Sequence, residues 1–233
     1  MSGRGAVRPA PVRPGPVVLW GGAGSGRTTF LAALAAAAAQ AHPPWQVTGR
    51  AEQAHEYALS ADFTVRRKRF LRFRTDTVRV AFDLAVTDRP GADFTAPDDS
   101  CSGIVYFFDP TRSADDGAAD AIAEAAGDGP VPHPLAVCVT KYDEPDILAE
   151  ARAAGVLAVD DEGGTPTVPI DFAERFFDHL CDTGGRAAVR EAIKRHFAPE
   201  SVRYFTTSSI GFHHDPVRPV NVLEPLLWVK LGV

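Results

Sequence analysis

Eight residues near the start of the chain have the types and spacing to grip phosphate: Gly21-Gly22-Ala23-Gly24-Ser25-Gly26-Arg27-Thr28. They fit Gly-x-x-x-x-Gly-Lys-Ser/Thr at every fixed position but one, where Arg27 stands in place of lysine. Glycines let successive backbone N–H groups curl inward around phosphate oxygens, and a helix that follows adds the partial positive charge of its N-terminus. Thr28 offers a hydroxyl to a magnesium ion, and Thr29 continues the same turn. Three more polar clusters occur where apolar runs stop: Asp88-Arg89-Pro90-Gly91, Thr140-Lys141-Tyr142-Asp143 and Thr207-Ser208-Ser209-Ile210.

Elements are needed to hold these groups along one edge. Val17–Trp20 reads as a buried strand into the loop and Thr29–Ala41 as the helix out of it, stopped by His42-Pro43-Pro44. Gly103–Phe108, Leu135–Val139 and Val202–Thr206 are short apolar runs of the kind that fill central parallel strands. Helical patterns cover Ser113–Ala126, with Ser113 as cap, then Pro145–Ala154, Asp171–Cys181, Arg186–Phe197 and Pro225 to Leu231. This alternation predicts a three-layer α/β fold with a mostly parallel sheet, whose ligands bind beyond the C-terminal strand ends. Each polar cluster follows such a strand.

Between Ala41 and Asp88 the pattern changes. Residues 45–63 are ambiguous, with Glu52–Leu59 readable as a short helix. Val65–Arg74 and Thr77–Thr87 read as strands joined at Thr75-Asp76; the second alternates Val78, Val80, Phe82, Leu84 and Val86. So short a link implies a hairpin, and therefore one antiparallel edge strand. The stretch 65–74 is strongly basic, with Arg66, Arg67, Lys68, Arg69, Arg72 and Arg74. It reads either as an edge blunted by charge or as a docking strand for an acidic protein partner.

At 233 residues with 45% hydrophobic content, the chain is long enough for one large domain with insertions. Residues 1–16, rich in arginine and proline, read as a flexible tail, and 17–233 as the domain. A Gly/Pro-rich stretch and an added helix make an insertion at about 155–185, before the last strand. The net charge of −6 excludes a general nucleic-acid binder. Cys101, Cys138 and Cys181 form no Cys-x-x-Cys pair and read as reduced thiols, which predicts a cytoplasmic protein. No apolar run approaches a membrane span, and the basic first residues lack the apolar core of a secretory signal. His213-His214-Asp215 lacks a third ligand set spaced for zinc and reads as a polar loop.

Taken in chain order, the four clusters resemble a Ras-like GTPase domain of the translation-factor class (TRAFAC), with a P-loop NTPase sheet. Leu19–Leu34, Asp88–Phe94 and the closing Arg218-Pro219-Val220 and Glu224-Pro225-Leu226-Leu227-Trp228 are similar to the bacterial "double-GTPase" group. The resemblance implies a molecular switch that binds GTP or GDP with Mg²⁺. It implies that Gly21 to Thr29 hold the phosphates and that the Asp143 carboxylate accepts two hydrogen bonds from guanine. Adenine has no such donor pair. Lys141 would lie over the base, the Ser209 N–H would meet the guanine oxygen, Ser208 would brace that loop, and Thr140 and Ile210 would belong to the same nucleotide-binding set. Asp88 would hold a magnesium-bound water and the Gly91 N–H would meet the γ-phosphate. A switch threonine would complete the metal set with Thr28 and Asp88; Thr64 is the first candidate and Thr48 the second. An effector or GTPase-activating partner would read residues 64–102 and the basic strand.

Two departures bear on catalysis. Arginine is a broad planar fork where lysine is a point charge, so Arg27 either fits beneath a rearranged loop or points away from it. Ala92 occupies the position at which Ras-like proteins carry a glutamine that orients the attacking water. Asp93 lies one residue too late. The expectation is slow or partner-dependent hydrolysis. The alternatives are a pseudo-GTPase scaffold with a degraded pocket, or a P-loop ATPase or kinase, which Thr140-Lys141-x-Asp143 disfavours.

Overall fold

The computed structural model describes all residues except 1–11, 42–43, 52–55, 70–71, 88–92, 114–116, 160–165, 213–217 and 233. In chain order the elements are β1 (Val17–Trp20), α1 (Arg27–Gln40), β2 (Gln46–Ala51), β3 (Glu56–Arg69), β4 (Arg72–Thr87), β5 (Gly103–Phe108), α2 (Ala118–Ala126), β6 (Leu135–Val139) and α3 (Pro145–Ala153). Then come β7 (Ala158–Val159), β8 (Pro166–Thr167), α4 (Ile170–Thr183), α5 (Ala187–His196), a short 3₁₀ turn, β9 (Val202–Thr206) and α6 (Glu224–Leu231).

Seven strands form one sheet in the order β2-β3-β4-β1-β5-β6-β9. β4, β1, β5, β6 and β9 run parallel, with Val17 level with Val86 and Gly103. Side chains alternate across the sheet, so its two faces build two cores. Val18, Trp20, Ile104, Tyr106 and Phe108 pack with Ile122, Ile147, Phe176, Phe177 and Ile193 from α2–α5. Val17, Leu19, Val105 and Phe107 pack with Phe30, Leu31 and Leu34 of α1 and Leu226 and Val229 of α6. That is the three-layer α/β architecture, with helices on both faces of a mostly parallel sheet.

The first half of the sheet differs from the sequence expectation. The hairpin pairs Arg69 with Arg72, and Thr75 and Asp76 sit inside β4 opposite Arg66 and Val65. Polar type alone had marked Thr75-Asp76 as a turn, whereas the strand alternation runs on through it. Glu56–Leu59 is strand, not helix, and β2 pairs antiparallel with β3 through Gln46↔Ser60. The antiparallel strand is therefore β3, one place in from the edge, and β2 is the edge.

Other boundaries shift for local reasons. α2 begins at Ala118 behind Gly117 in the left-handed region, so Ser113 does not cap it. α4 is a core helix: Phe176 and Phe177 are fully buried, while Phe172 remains exposed. Residues 12–16 are tied down where a flexible tail was expected. Arg13 donates to the Trp228 and Val229 carbonyls at 3.2 and 2.8 Å, capping the C-terminus of α6, and the buried Lys230 ammonium donates to the Gly15 carbonyl at 2.8 Å. No described helix is long and apolar enough to cross a membrane.

Candidate functional site

The glycine-rich loop leaves β1 and enters α1 through Gly26, whose φ of +98° suits glycine and turns the chain into the helix. The first helical hydrogen bond is Phe30 N–H to Gly26 O at 2.8 Å. The N–H groups of Arg27, Thr28 and Thr29 precede it, in the turn whose donors a helix leaves over. Thr28 and Thr29 are exposed, and among the described residues the buried Ser25 hydroxyl has no hydrogen-bond partner.

On the far side of β5, two strand-end loops interlock. The Thr140 N–H donates to Phe108 O (2.9 Å), Thr207 N–H to Val139 O (2.7 Å) and Tyr142 N–H to Thr207 O (3.3 Å). Tyr142 is fully buried against Phe176 and Phe212, with ring centroids 6.4 and 5.7 Å away, and burial raises its hydroxyl pKa. This central tyrosine anchors the loop, and Lys141 and Asp143 flank it. Lys141 takes φ +55°, uncommon for a residue with a side chain and typical of functional turns. Its ammonium pairs with the buried Asp109 carboxylate at 2.7 Å and donates to Thr111 Oγ1 at 3.0 Å. Asp109 also accepts from the Thr111 N–H (3.0 Å) and hydroxyl (2.7 Å). Ser208 Oγ accepts the Gly211 N–H at 2.7 Å, and its backbone bridges Val220 in both directions. Gly211 has φ +73°, and a Cβ there would lie 1.8 Å from the Arg218 carbonyl oxygen, so only glycine fits this return.

Arg27 turns toward Asp93. Its guanidinium lies 3.0 Å from Asp93 Oδ1 and 3.4 Å from the Asp93 carbonyl oxygen. The other carboxylate oxygen, Oδ2, accepts the Ala23 N–H at 3.2 Å, and the Asp93 carbonyl accepts the Gly21 N–H at 2.9 Å. The next two residues hold this segment in place. Phe94 packs on Trp20 and Tyr106 (centroids 5.8 and 5.9 Å), and Trp20 Nε1–H donates to Thr95 O at 2.8 Å. A second arginine, Arg112, reaches the loop from the end of β5: it donates to the Ala23 carbonyl and lies over Gly22.

Between these parts lies a cleft of about 190 Å³. Gly24, Ser25, Gly26, Thr29, Thr140, Lys141, Asp143, Ser209 and Ile210 line it, with Phe30, Phe107, Glu144 and Thr207. Three segments far apart in sequence thus meet at the C-terminal edge of the parallel strands. Asp143 takes part in no ion pair or side-chain hydrogen bond among the described residues. Gly21, Gly22, Ala23, Arg27 and Thr28 continue the loop beyond the cleft wall, and Ser208 sits behind it.

Both candidates for the switch threonine lie inside strands. Thr64 pairs with Thr77, ten residues before Thr87 of β4, where the strand comes level with Val18 of β1. At about 3.3 Å per residue, Thr64 lies on the order of 30 Å from the loop. The cause is the longer hairpin: β3 runs away from the site, so its middle cannot return there. Thr48 pairs with Ala58, also inside a strand. Asp88, Gly91 and Ala92 lie outside the described residues, as does His213-His214-Asp215. No group of three or more His, Cys, Asp or Glu among the described residues is placed to hold a metal ion.

Sequence reasoning missed Asp109, Arg112 and Arg186. Arg186, buried at the start of α5, donates to the Asp109 carbonyl at 2.7 Å and lies 5.2 Å from the Phe108 ring centre. Asp109 stands directly after the apolar run Gly103–Phe108, and a carboxylate at the end of a central strand is a signal in its own right. Nothing local marks the two arginines.

No family model matches the chain, and no curated protein matches it. The solved structures it is similar to include a crystal structure of sup35 complexed with GDP, at 11% identity and a TM-score of 0.38. The match covers 83% of this chain and 36% of that one, so the chain spans about a third of that protein's length.

Proposed function

We propose that the protein binds a guanine nucleotide and acts as a slow or partner-dependent GTP-hydrolysing switch of the Ras-like class. One observation carries the reading: the phosphate-loop residues Gly24–Gly26, Lys141 and Asp143, and Ser209 and Ile210 line a single cleft at the strand ends. A loop rich in N–H donors at one end and a carboxylate unpaired among the described residues at the other suit a ligand with an anionic tail and a base offering two donors. The cleft is smaller than the roughly 300–1,000 Å³ of most small-molecule sites. The base and ribose would occupy it, and the phosphates would lie along the open loop toward Ala23 and Arg27.

Lys141, held by Asp109, would present its aliphatic stem to the base. Magnesium, which the reading implies, would be held by the Thr28 hydroxyl and the nucleotide phosphates, with Asp88 through a water. The described residues offer Thr28 alone, so the fit is partial. When bound, the ion neutralises phosphate charge. Slow hydrolysis follows from Ala92, which has no group to orient a water, and from Arg27, whose fork is engaged with Asp93. The likeness to the double-GTPase group is a narrower proposal and rests on sequence pattern alone.

The engaged Arg27 also favours a second reading, a pseudo-GTPase that binds nucleotide weakly or not at all and serves as an interaction module. Calorimetric titration with GTP, GDP and ATP, with and without Mg²⁺, separates the two. Guanine-nucleotide binding is expected; preference for ATP would sink the assignment, and no binding would favour the module.

A further inference from the structure

We propose that Asp93 is a tethered competitor for the terminal phosphate, so that the phosphate loop is preset for a nucleoside diphosphate over a triphosphate. The inference rests on the guanine-nucleotide reading and deepens it. The cleft is lined by Gly24, Ser25, Gly26 and Thr29, and by neither Ala23 nor Arg27. A nucleotide whose base lies by Asp143 reaches Gly24–Gly26 first and Ala23 and Arg27 last. Those last two positions lie toward the terminal phosphate, the cation at the Arg27 position of such a loop reaching the β- and γ-phosphates. The Asp93 carboxylate already holds both, taking the Ala23 N–H on one oxygen and the Arg27 guanidinium on the other, at 3.2 and 3.0 Å.

A carboxylate is a fair mimic of a phosphate edge: it is anionic, planar and accepts two converging donors. An arginine suits this arrangement better than a lysine, because its fork meets the carboxylate and the carbonyl of the same residue. The contact is built in by its surroundings. Gly21 N–H holds the Asp93 carbonyl, Phe94 is wedged against Trp20 and Tyr106, and Trp20 donates to Thr95. The Asp93 backbone is thus fixed, while its side chain, 40% exposed, can rotate outward to yield the donors. Two anions cannot share one set of donors, so a triphosphate binds only after Asp93 yields, and a diphosphate binds with Asp93 in place. The coupling between Asp93 and the third phosphate must appear equally in the affinity of either for the loop.

The test is calorimetric titration of the full chain with GDP and with GTP, on wild type, Asp93→Asn and Asp93→Ala, after thermal melts confirm folding. Wild type is expected to bind GDP more tightly than GTP. Both variants are expected to bind GTP about tenfold more tightly than wild type, low in the range of roughly 5–150-fold that such couplings span. Their GDP affinity should rise by clearly less than their GTP affinity, and an equal gain for both nucleotides overturns the inference. GTP binding that is unchanged or weakened in the variants, or a wild type that prefers GTP, overturns the inference alone. Absence of binding by both nucleotides in all three proteins overturns the guanine reading and the inference with it.

Discussion

The ion pair between Lys141 and Asp109 should be measurable with no nucleotide present. The two groups are 2.7 Å apart, with Asp109 1% exposed and Lys141 36% exposed. At an effective dielectric of about 20 the bare attraction is about 6 kcal/mol. Desolvation of the buried carboxylate cancels much of it, and water at the Lys141 end screens more. Fully exposed pairs yield about 0.2–1 kcal/mol, and breaking a fully buried pair costs about 3–5 kcal/mol. Asp109 keeps two donors from Thr111 when Lys141 is lost, which places the coupling at about 1.5–2.5 kcal/mol. The perturbation is the set Lys141→Ala, Asp109→Ala and the double variant, compared by urea denaturation as a double-mutant cycle. Both single variants should be destabilised, and the double variant should be more stable than their sum. A coupling energy below about 0.3 kcal/mol, which is ordinary additivity, would refute the claim that Asp109 holds Lys141 in place before ligand arrives.

Other expectations follow from burial and charge. Phe177 is fully buried with Phe108 and Tyr204 rings at 4.9 and 5.1 Å, so Phe177→Ala should cost about 3–5 kcal/mol in urea melts. A cost under about 1 kcal/mol would show that α4 is not part of the core. Burial pushes the Cys181 thiol from 9.0 up to about 12, favouring the neutral form in the fold. That contribution to stability is full below pH 9 and is lost as pH rises toward about 12. At pH 8 the native thiolate fraction is about a thousandfold below that of the unfolded chain, so iodoacetamide should label Cys181 only after denaturation; prompt native labelling would contradict its burial. Single-turnover hydrolysis of GTP by the isolated protein should take many minutes or longer, given Ala92 and the engaged Arg27; turnover in seconds would show a water-positioning group elsewhere.

The parallel half of the sheet was legible because its strands are short apolar runs closed by polar residues. β1, β5, β6 and β9 begin and end where the composition changes. The antiparallel half was not. Residues 46–80 are rich in charge, and only β4 alternates apolar residues cleanly, so neither the hairpin turn nor β2 stood out. The error over Thr64 followed from that misplaced turn. The cleft-lining residues were legible because a phosphate loop and a Lys-x-Asp tetrapeptide are local patterns that a strand end places at one edge. The Arg27–Asp93 pair was not, because it depends on the path of a loop that Phe94 pins to Trp20 across the sheet. Arg186 shows the same limit: its value lies in meeting the end of β5, 77 residues earlier in the chain.

The central claim is that Asp143 reads guanine in the cleft. Its most direct test is the GDP affinity of wild type against Asp143→Ala, with ATP as the control. GDP binding should fall by on the order of a hundredfold or more when the carboxylate is removed, the scale of losing two hydrogen bonds to a charged group, and any weak ATP binding should be unchanged. Equal GDP affinity in the two proteins, or tighter ATP than GDP binding in wild type, would contradict it.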